Sequence, residues 1–333
     1  MLKKMFSLML SIVLFVTTMG TAAAAVPDDM QGKLSEVERA AYGGTQTGAL
    51  LDRINHLEKD FNGAHQSMDS IMDRVDALYG MMFINNSGPS VLTQLNAVEW
   101  TISKKVNVDP VQKRVGELET TIAGKQSEGT YLQRIDKLAG YAYGSRQIPL
   151  TQLGVPANTL VKIVLTTPVN AKNLKVGDLI EFQAAEDIMD NGMLLFAKGA
   201  QGFGEVQKVA QAANFGRNAK VVIDFKSLKA IDGTMVDMTL GKESKEMMEH
   251  MAMAAGASIA GIAILGPIGV IGGAFVKGKN VDLPVGTELY IQTKTDNTLF
   301  CLETGTGITN VRIAEPEKKD STEDSEKPAD NAQ

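Results

Sequence analysis

One stretch limits what this chain can fold into. MAMAAGASIAGIAILGPIGVIGGAFV, Met251 to Val276, contains no charged residue, while Lys245, Glu246 and Glu249 precede it and Lys277 and Lys279 come after it. As one helix its 26 residues would reach about 39 Å, beyond the ~30 Å hydrocarbon core of a bilayer. Gly266-Pro267 argues against that, because proline removes a backbone donor and clashes with the preceding turn. Proline suits the first turn of a new helix, so the run predicts two apolar helical arms meeting at Gly266. Small residues recur four apart, at Gly256 and Ala260 and at Gly269 and Gly273, with Gly272 beside the last. That spacing lets helix backbones approach closely, which makes these five the candidate membrane or helix-packing residues. From Pro267 to Val276 the second arm has only ten residues, about 15 Å of helix, so shallow insertion or oligomeric packing fits better than an ordinary anchor.

The first 25 residues read as an export signal: Lys3 and Lys4, an apolar stretch from Met5 to Val16, then the small residues Ala23-Ala24-Ala25. No cysteine lies near that end, so attachment through a lipidated one has no support. Cys301 is the sole cysteine and excludes an intrachain disulfide.

Residues 26–148 form a repeat region. Leu34–Gly63 aligns without gaps to Val115–Gly144, with identities including Glu38/Glu119, Gly43/Gly124, Arg53/Arg134, Ile54/Ile135 and Leu57/Leu138. A weaker middle copy starts at Arg74, which gives three units of roughly 40 residues. Each unit reads as a short helix, a glycine break and a longer amphipathic helix. Apolar stripes keep to helical spacing: Leu50, Ile54, Leu57 and Phe61; Val91, Leu95, Val98 and Ile102; Leu132, Ile135 and Leu138. Glycines interrupt the heptads too often for a long coiled coil. Helical hairpins are predicted instead, folding independently of the β-rich half and holding Trp100.

Residues 149–310 change character. Strands are expected over Thr159–Thr166, Asp178–Ala185, Met193–Phe196, Gly202–Val209, Ala219–Phe225, Thr234–Leu240 and Thr287–Thr293. Asn191-Gly192 and Asp232-Gly233 are hairpin signals, since both pairs tolerate tight-turn geometry. Strands without interleaved helices predict an antiparallel barrel or sandwich. The apolar hairpin, residues 244–278, is inserted into it, so the fold class is α+β. If the strands on both sides of the run share one soluble domain, the chain leaves and returns on the same side. Residues 311–333 are charged and without aromatics, a disordered tail.

No chemistry is assembled. Gly273 to Lys279 matches the opening of a phosphate loop, but Asn280 replaces the magnesium-binding hydroxyl and the helix–strand order is reversed. Gly256 to Ala260 lacks the final glycine of a nucleophile elbow. His56, His65 and His250 have no metal-ligand spacing, and Glu186, Asp187 and Asp190 read as a solvated turn. No cofactor or metal is expected, and no enzyme. The net charge of −6 without a basic aromatic patch argues against nucleic acid.

The β-rich part resembles the C-terminal β-barrel domain of the TrbI-like scaffold proteins of conjugation and type IV secretion. The features that carry this are Val155-Pro-Ala-Asn-Thr159, Leu195-Phe-Ala-Lys-Gly199-Ala-Gln-Gly202, the Ile231-Asp-Gly233 turn, and an apolar helical hairpin between late strands. The resemblance implies a barrel in an outer-membrane complex whose hairpin contributes to a pore. It ends at the N-terminal side, where helical repeats stand in place of that family's inner-membrane helix and proline-rich linker.

Together these readings describe an exported, non-enzymatic cell-envelope protein of the periplasm or outer membrane. Its glycine-zipper-like hairpin would serve membrane association or self-association. The alternative is a soluble periplasmic or secreted ligand-binding module with the hairpin buried in its core.

Overall fold

The computed structural model describes residues 27, 29–66, 68–211, 219–254, 263–265, 270–272 and 281–305. The expected export signal, residues 1–25, and the expected disordered tail, residues 311–333, lie outside them.

The described residues open with six helices of equal length: α1 (Met30–Tyr42), α2 (Leu50–Asn62), α3 (Ile71–Phe83), α4 (Val91–Ser103), α5 (Val111–Ala123) and α6 (Tyr131–Tyr143). Local chemistry sets their ends. Asp29, Ser70, Ser90 and Thr130 accept backbone N–H groups of the first turns, and Thr130 forms a full capping box with Gln133. α1, α2, α5 and α6 stop at Gly43, Gly63, Gly124 and Gly144, each with positive φ, the conformation a left-handed cap demands. The predicted stripes pack within the chain: Ile54, Leu57, Phe61, Leu95, Ile135 and Leu138 are all buried in one cluster.

The short-helix, long-helix unit is corrected by this arrangement. The structural unit is one helix with its loop, about half the predicted length. A buried ion pair joins most consecutive units. The ninth residue of a helix is a glutamate, and the fourth residue of the next is an arginine: Glu38 with Arg53, Glu58 with Arg74, Glu99 with Arg114, Glu119 with Arg134. Nη2–Oε2 separations are 2.7, 2.7, 2.6 and 2.7 Å. Each glutamate also accepts the backbone N–H eight residues on, at Gln46, Gln66, Asn107 and Ser127. One carboxylate therefore pins its own helix, the adjoining loop and the next helix. The α3–α4 junction is the exception, where Tyr79 and Gln94 hold the equivalent positions.

The second half is a barrel. β2 (Leu160–Leu165), β4 (Leu179–Ala184), β7 (Gln201–Ala210), β8 (Lys220–Lys229), β9 (Met235–Thr239) and β13 (Glu288–Thr293) are antiparallel neighbours. The β8–β9 and β13–β9 ladders close the ring at six strands, which makes it a barrel rather than a sandwich. Burial alternates along the strands, as period-2 side-chain placement requires, with Ile163, Phe182, Ile223, Phe225 and Ile291 inside. Phe182 and Phe225 meet edge to face at 5.4 Å. They fit because Gly202 has no Cβ; one there would lie 2.3 Å from the Phe182 ring and 2.7 Å from the Ser227 carbonyl oxygen. A smaller sheet orders β1 (Leu150–Val155), β14 (Asn297–Glu303), β6 (Met193–Phe196) and β5 (Ile188–Asp190). β3 (Val169–Asn170) pairs with β12 (Asp282–Leu283). The seven predicted strands are all present, and Asn191-Gly192 turns β5 into β6 with positive φ at both residues.

The helices do not stand apart from the barrel. Trp100 of α4 leaves the helical core and packs with Leu194, Ala197, Ile231 and Leu302. Around it, Thr93 Oγ1 donates to the Asp232 carbonyl at 2.7 Å and Asn96 Nδ2 to the Ile231 carbonyl at 2.8 Å. Trp100 Nε1 donates to Asp187 Oδ1 at 3.1 Å. The β8–β9 turn at Asp232-Gly233 thus docks on α4, beside the one junction without an ion pair.

Candidate functional site: where the apolar run joins the barrel

The run enters through α7 (Lys242–Ala254), which comes directly after β9. Its first turn is fastened to the barrel wall. Ser244 donates to Gln292 Oε1 through its backbone N–H at 3.0 Å and its hydroxyl at 2.9 Å. The Gln292 amide nitrogen in turn donates to Asn158 Oδ1 and Glu243 Oε2. Gln292 is 2 % exposed, so its polar atoms must be matched by protein, and all are. The helix approaches this closely because residue 241 is glycine; a Cβ there would lie 2.3 Å from the Gln292 amide. The Glu243 carboxyl is held below the usual carboxylate range by its own backbone N–H and the Gln292 amide. Met248, one turn further on, is buried in the barrel core.

The second half of the run differs from the expectation. Ala263–Leu265 is a strand, β10, and Val270–Gly272 is another, β11. They form an antiparallel hairpin, with Ile264 opposite Ile271. β11 then adds to β8, where Val270 faces Val222 and Gly272 faces Lys220. The described strands form a returning hairpin, but Ala263–Leu265 of the expected first arm and Val270–Gly272 of the expected second are β and not helix. The physical reason lies in the barrel. β9 is short and on β8 reaches only Ser227 to Lys229, so the first half of β8 has an open edge for Val270-Ile271 to fill. Gly272 is therefore a ladder residue. Gly256, Ala260, Gly269 and Gly273 lie outside the described residues, as do the phosphate-loop and elbow look-alikes.

Other singled-out residues have structural roles. Asp187 accepts from Trp100 and from the Lys198 backbone, so one acid of the supposed solvated turn is a docking point. His56 lies 3.5 Å from Asp60 on the α2 surface, and His65 and His250 are exposed. Cys301 is fully buried, and burial, then the charges of Asp232 and Asp190, push its thiol up to about 12. Asp232 is 2 % exposed, and burial raises its pKa against the opposing N–H groups of Thr234 and Phe300. Among the described residues no group of His, Cys, Asp and Glu could hold a metal ion, and no helix is long and apolar enough to cross a membrane.

Sequence reasoning missed Gln292 and Ser244, which sit 48 residues apart and carry no motif. It also missed the Glu–Arg series, although the alternation is written in the sequence at intervals of 15 and 16 residues.

No family model and no curated protein matches the chain. Among solved structures it is similar to ComB10 of the Com type IV secretion system of Helicobacter pylori. Identity is 15 %, the match covers 43 % of this chain and 88 % of that one, and the TM-score is 0.24. Likeness at that level carries no inference about what this chain binds.

Proposed function

We propose that this is an exported, non-enzymatic cell-envelope protein whose barrel presents the uncharged run Met251–Val276 for membrane association or self-assembly. One observation carries the reading. The run is inserted between β9 and β13, which are neighbours in one closed barrel, with Thr239 opposite Gln292 and Met238 opposite Thr293. The chain therefore leaves the barrel and returns to it at neighbouring strands, as a presented hairpin requires and a single through-going span does not allow. The charged, apolar and small-residue order of residues 1–25 supports export.

The β11–β8 ladder favours a second reading, in which the run stays within the protein and the β half is a soluble binding module. Fractionation separates the two. The envelope reading requires detergent for extraction, and mature protein beginning near Val26. Quantitative release by osmotic shock without detergent would overturn it. A companion variant, Gly256→Leu with Ala260→Leu, weakens membrane retention or oligomers if small residues mediate close packing. If only bulk hydrophobicity matters, added apolar area strengthens retention.

A further inference from the structure

We infer that one end of the barrel docks on an anionic lipid surface, with Val176 and Val285 entering the headgroup layer from the tips of two turns and lysines around them meeting lipid phosphates. The inference rests on the proposed reading that the run serves membrane association, and it names the contact surface and the lipid charge.

β2 and β7 end, and β4, β8 and β13 begin, at one end of the barrel. Two four-residue turns of the same design lie there. In residues 175–178 and 284–287 the N–H of the fourth residue donates to the carbonyl of the first, at 3.2 Å in both. Gly177 and Gly286 hold the third positions with φ of 92° and 90°, as a type II turn requires. The second position, at the tip, is valine in each. Turns that face water favour proline and small polar residues instead. Val176 is 66 % exposed and Val285 58 %, the two most exposed large apolar side chains described in the β half. The turns are fastened to the barrel wall, Gly177 donating to the Val206 carbonyl and Gly286 to the Leu165 carbonyl. The fold therefore holds both valines outward.

Charge fits the same occupant. The described segments at this end, residues 171–178, 207–211, 219–220 and 284–287, hold four exposed lysines and one acid. Lys172, Lys175, Lys208 and Lys220 form no ion pair among the described residues. The acid, Asp178, accepts the Lys175 backbone N–H, and Asp282 close by accepts from Asn170. Lysine is depleted from protein–protein contacts, whereas apolar tips with lysines beside them suit the interface of an anionic membrane. The uncharged run meets the barrel at this same end, where Val270–Gly272 pairs with the start of β8. β8 then runs to the opposite end, where the Asp232-Gly233 turn docks on α4, so the helices face away from the lipid.

Flotation of the full-length mature chain with phosphatidylcholine vesicles, and with vesicles that also contain phosphatidylglycerol, tests the contact. Wild type should bind the anionic vesicles at least about tenfold more tightly, an advantage lost when Lys172, Lys175 and Lys208 are all changed to glutamine. Val176→Asp with Val285→Asp should weaken binding at least about tenfold. Val108→Asp, at a position 59 % exposed in the helical half, should change nothing. Emission of Val285→Trp should shift to the blue on anionic vesicles, and that of Val108→Trp should not. All these positions are exposed, and an unchanged thermal melt without vesicles shows that each variant folds. Valine variants that float like wild type, a Val285→Trp emission blind to vesicles, or equal wild-type binding to both vesicles would overturn the inference. In each of those cases a wild type that floats leaves membrane association through the run standing. Wild type that floats with neither vesicle removes the contact and the membrane together, and leaves the run to self-assembly.

Discussion

Replacing Arg114 with methionine tests whether the buried ion pairs organise the helical half. Arg114 is 3 % exposed and donates to Glu99 at 2.9 and 2.6 Å and to Asn96 Oδ1 at 2.7 Å. Methionine fills much of the same space and removes the charge. Glu99, 1 % exposed, is then left with only the two Asn107 donors. Removing one partner of such a pair costs about 3–5 kcal/mol, because the remaining charge stays buried without compensation. With a urea slope near 2 kcal/mol/M, the midpoint should fall by about 1.5–2.5 M. Trp100, the sole tryptophan, 4 % exposed and next to Glu99 in the chain, reports the transition by fluorescence. Changing both partners, Glu99→Leu with Arg114→Met, removes the stranded charge and should return stability to within about 1 kcal/mol of wild type. Asn96 would still donate to the Ile231 carbonyl. A single substitution costing under about 1 kcal/mol, or a double costing the sum of its singles, would refute this account.

Thr93→Val deletes the 2.7 Å bond to the Asp232 carbonyl while keeping the side-chain shape; it should cost about 1–2 kcal/mol and red-shift Trp100 emission as the α4 docking loosens. Gly202→Ala should destabilise the barrel by about 3 kcal/mol in thermal melts, whereas Gly154→Ala, with open space at its Cβ, should change little. Acid should weaken the helical half. Burial alone would raise the Glu58 and Glu119 carboxyls, but Arg74 with the Gln66 N–H, and Arg134 with the Ser127 N–H, outweigh it and hold both below the usual range. Their folded values being depressed, their contribution is present above the ordinary glutamate value near pH 4.3 and is lost as pH falls through the folded values. Urea midpoints measured from pH 7 to 3 should show that loss, and Glu58→Gln with Glu119→Gln should flatten it.

The β half was legible because each barrel strand buries one face, so Val161, Ile163 and Leu165 or Val221, Ile223 and Phe225 write their period directly. The helical unit was half legible. Glu38 and Arg53 align with Glu119 and Arg134, four helices away, but nearer copies slip. Glu38 to Glu58 is a step of 20 and Arg53 to Arg74 a step of 21, because the loop before α3 is one residue longer. An ungapped comparison passes over that. The apolar run misled for another reason. Short uncharged segments bury equally well as helix or strand, and only the open edge of β8 decides for Val270-Ile271. That edge exists in the fold and nowhere in the local sequence.

The ion-pair series is also terminated at both ends. The fourth position of α1, the first described helix, holds Lys33, which reaches sideways to Asp76 of α3 at 2.6 Å. The ninth position of α6, with no repeat after it, holds the fully buried Ala139 and not a glutamate. An array ending in a lone carboxylate or guanidinium would offer a socket to the first or last helix of another copy, and helix exchange between chains would result. One end is closed by an internal lysine bond and the other by a methyl group, so the described series of six helices offers no such socket. A helix added at either end would meet a lysine already bonded within the chain or a methyl group, and not a waiting partner.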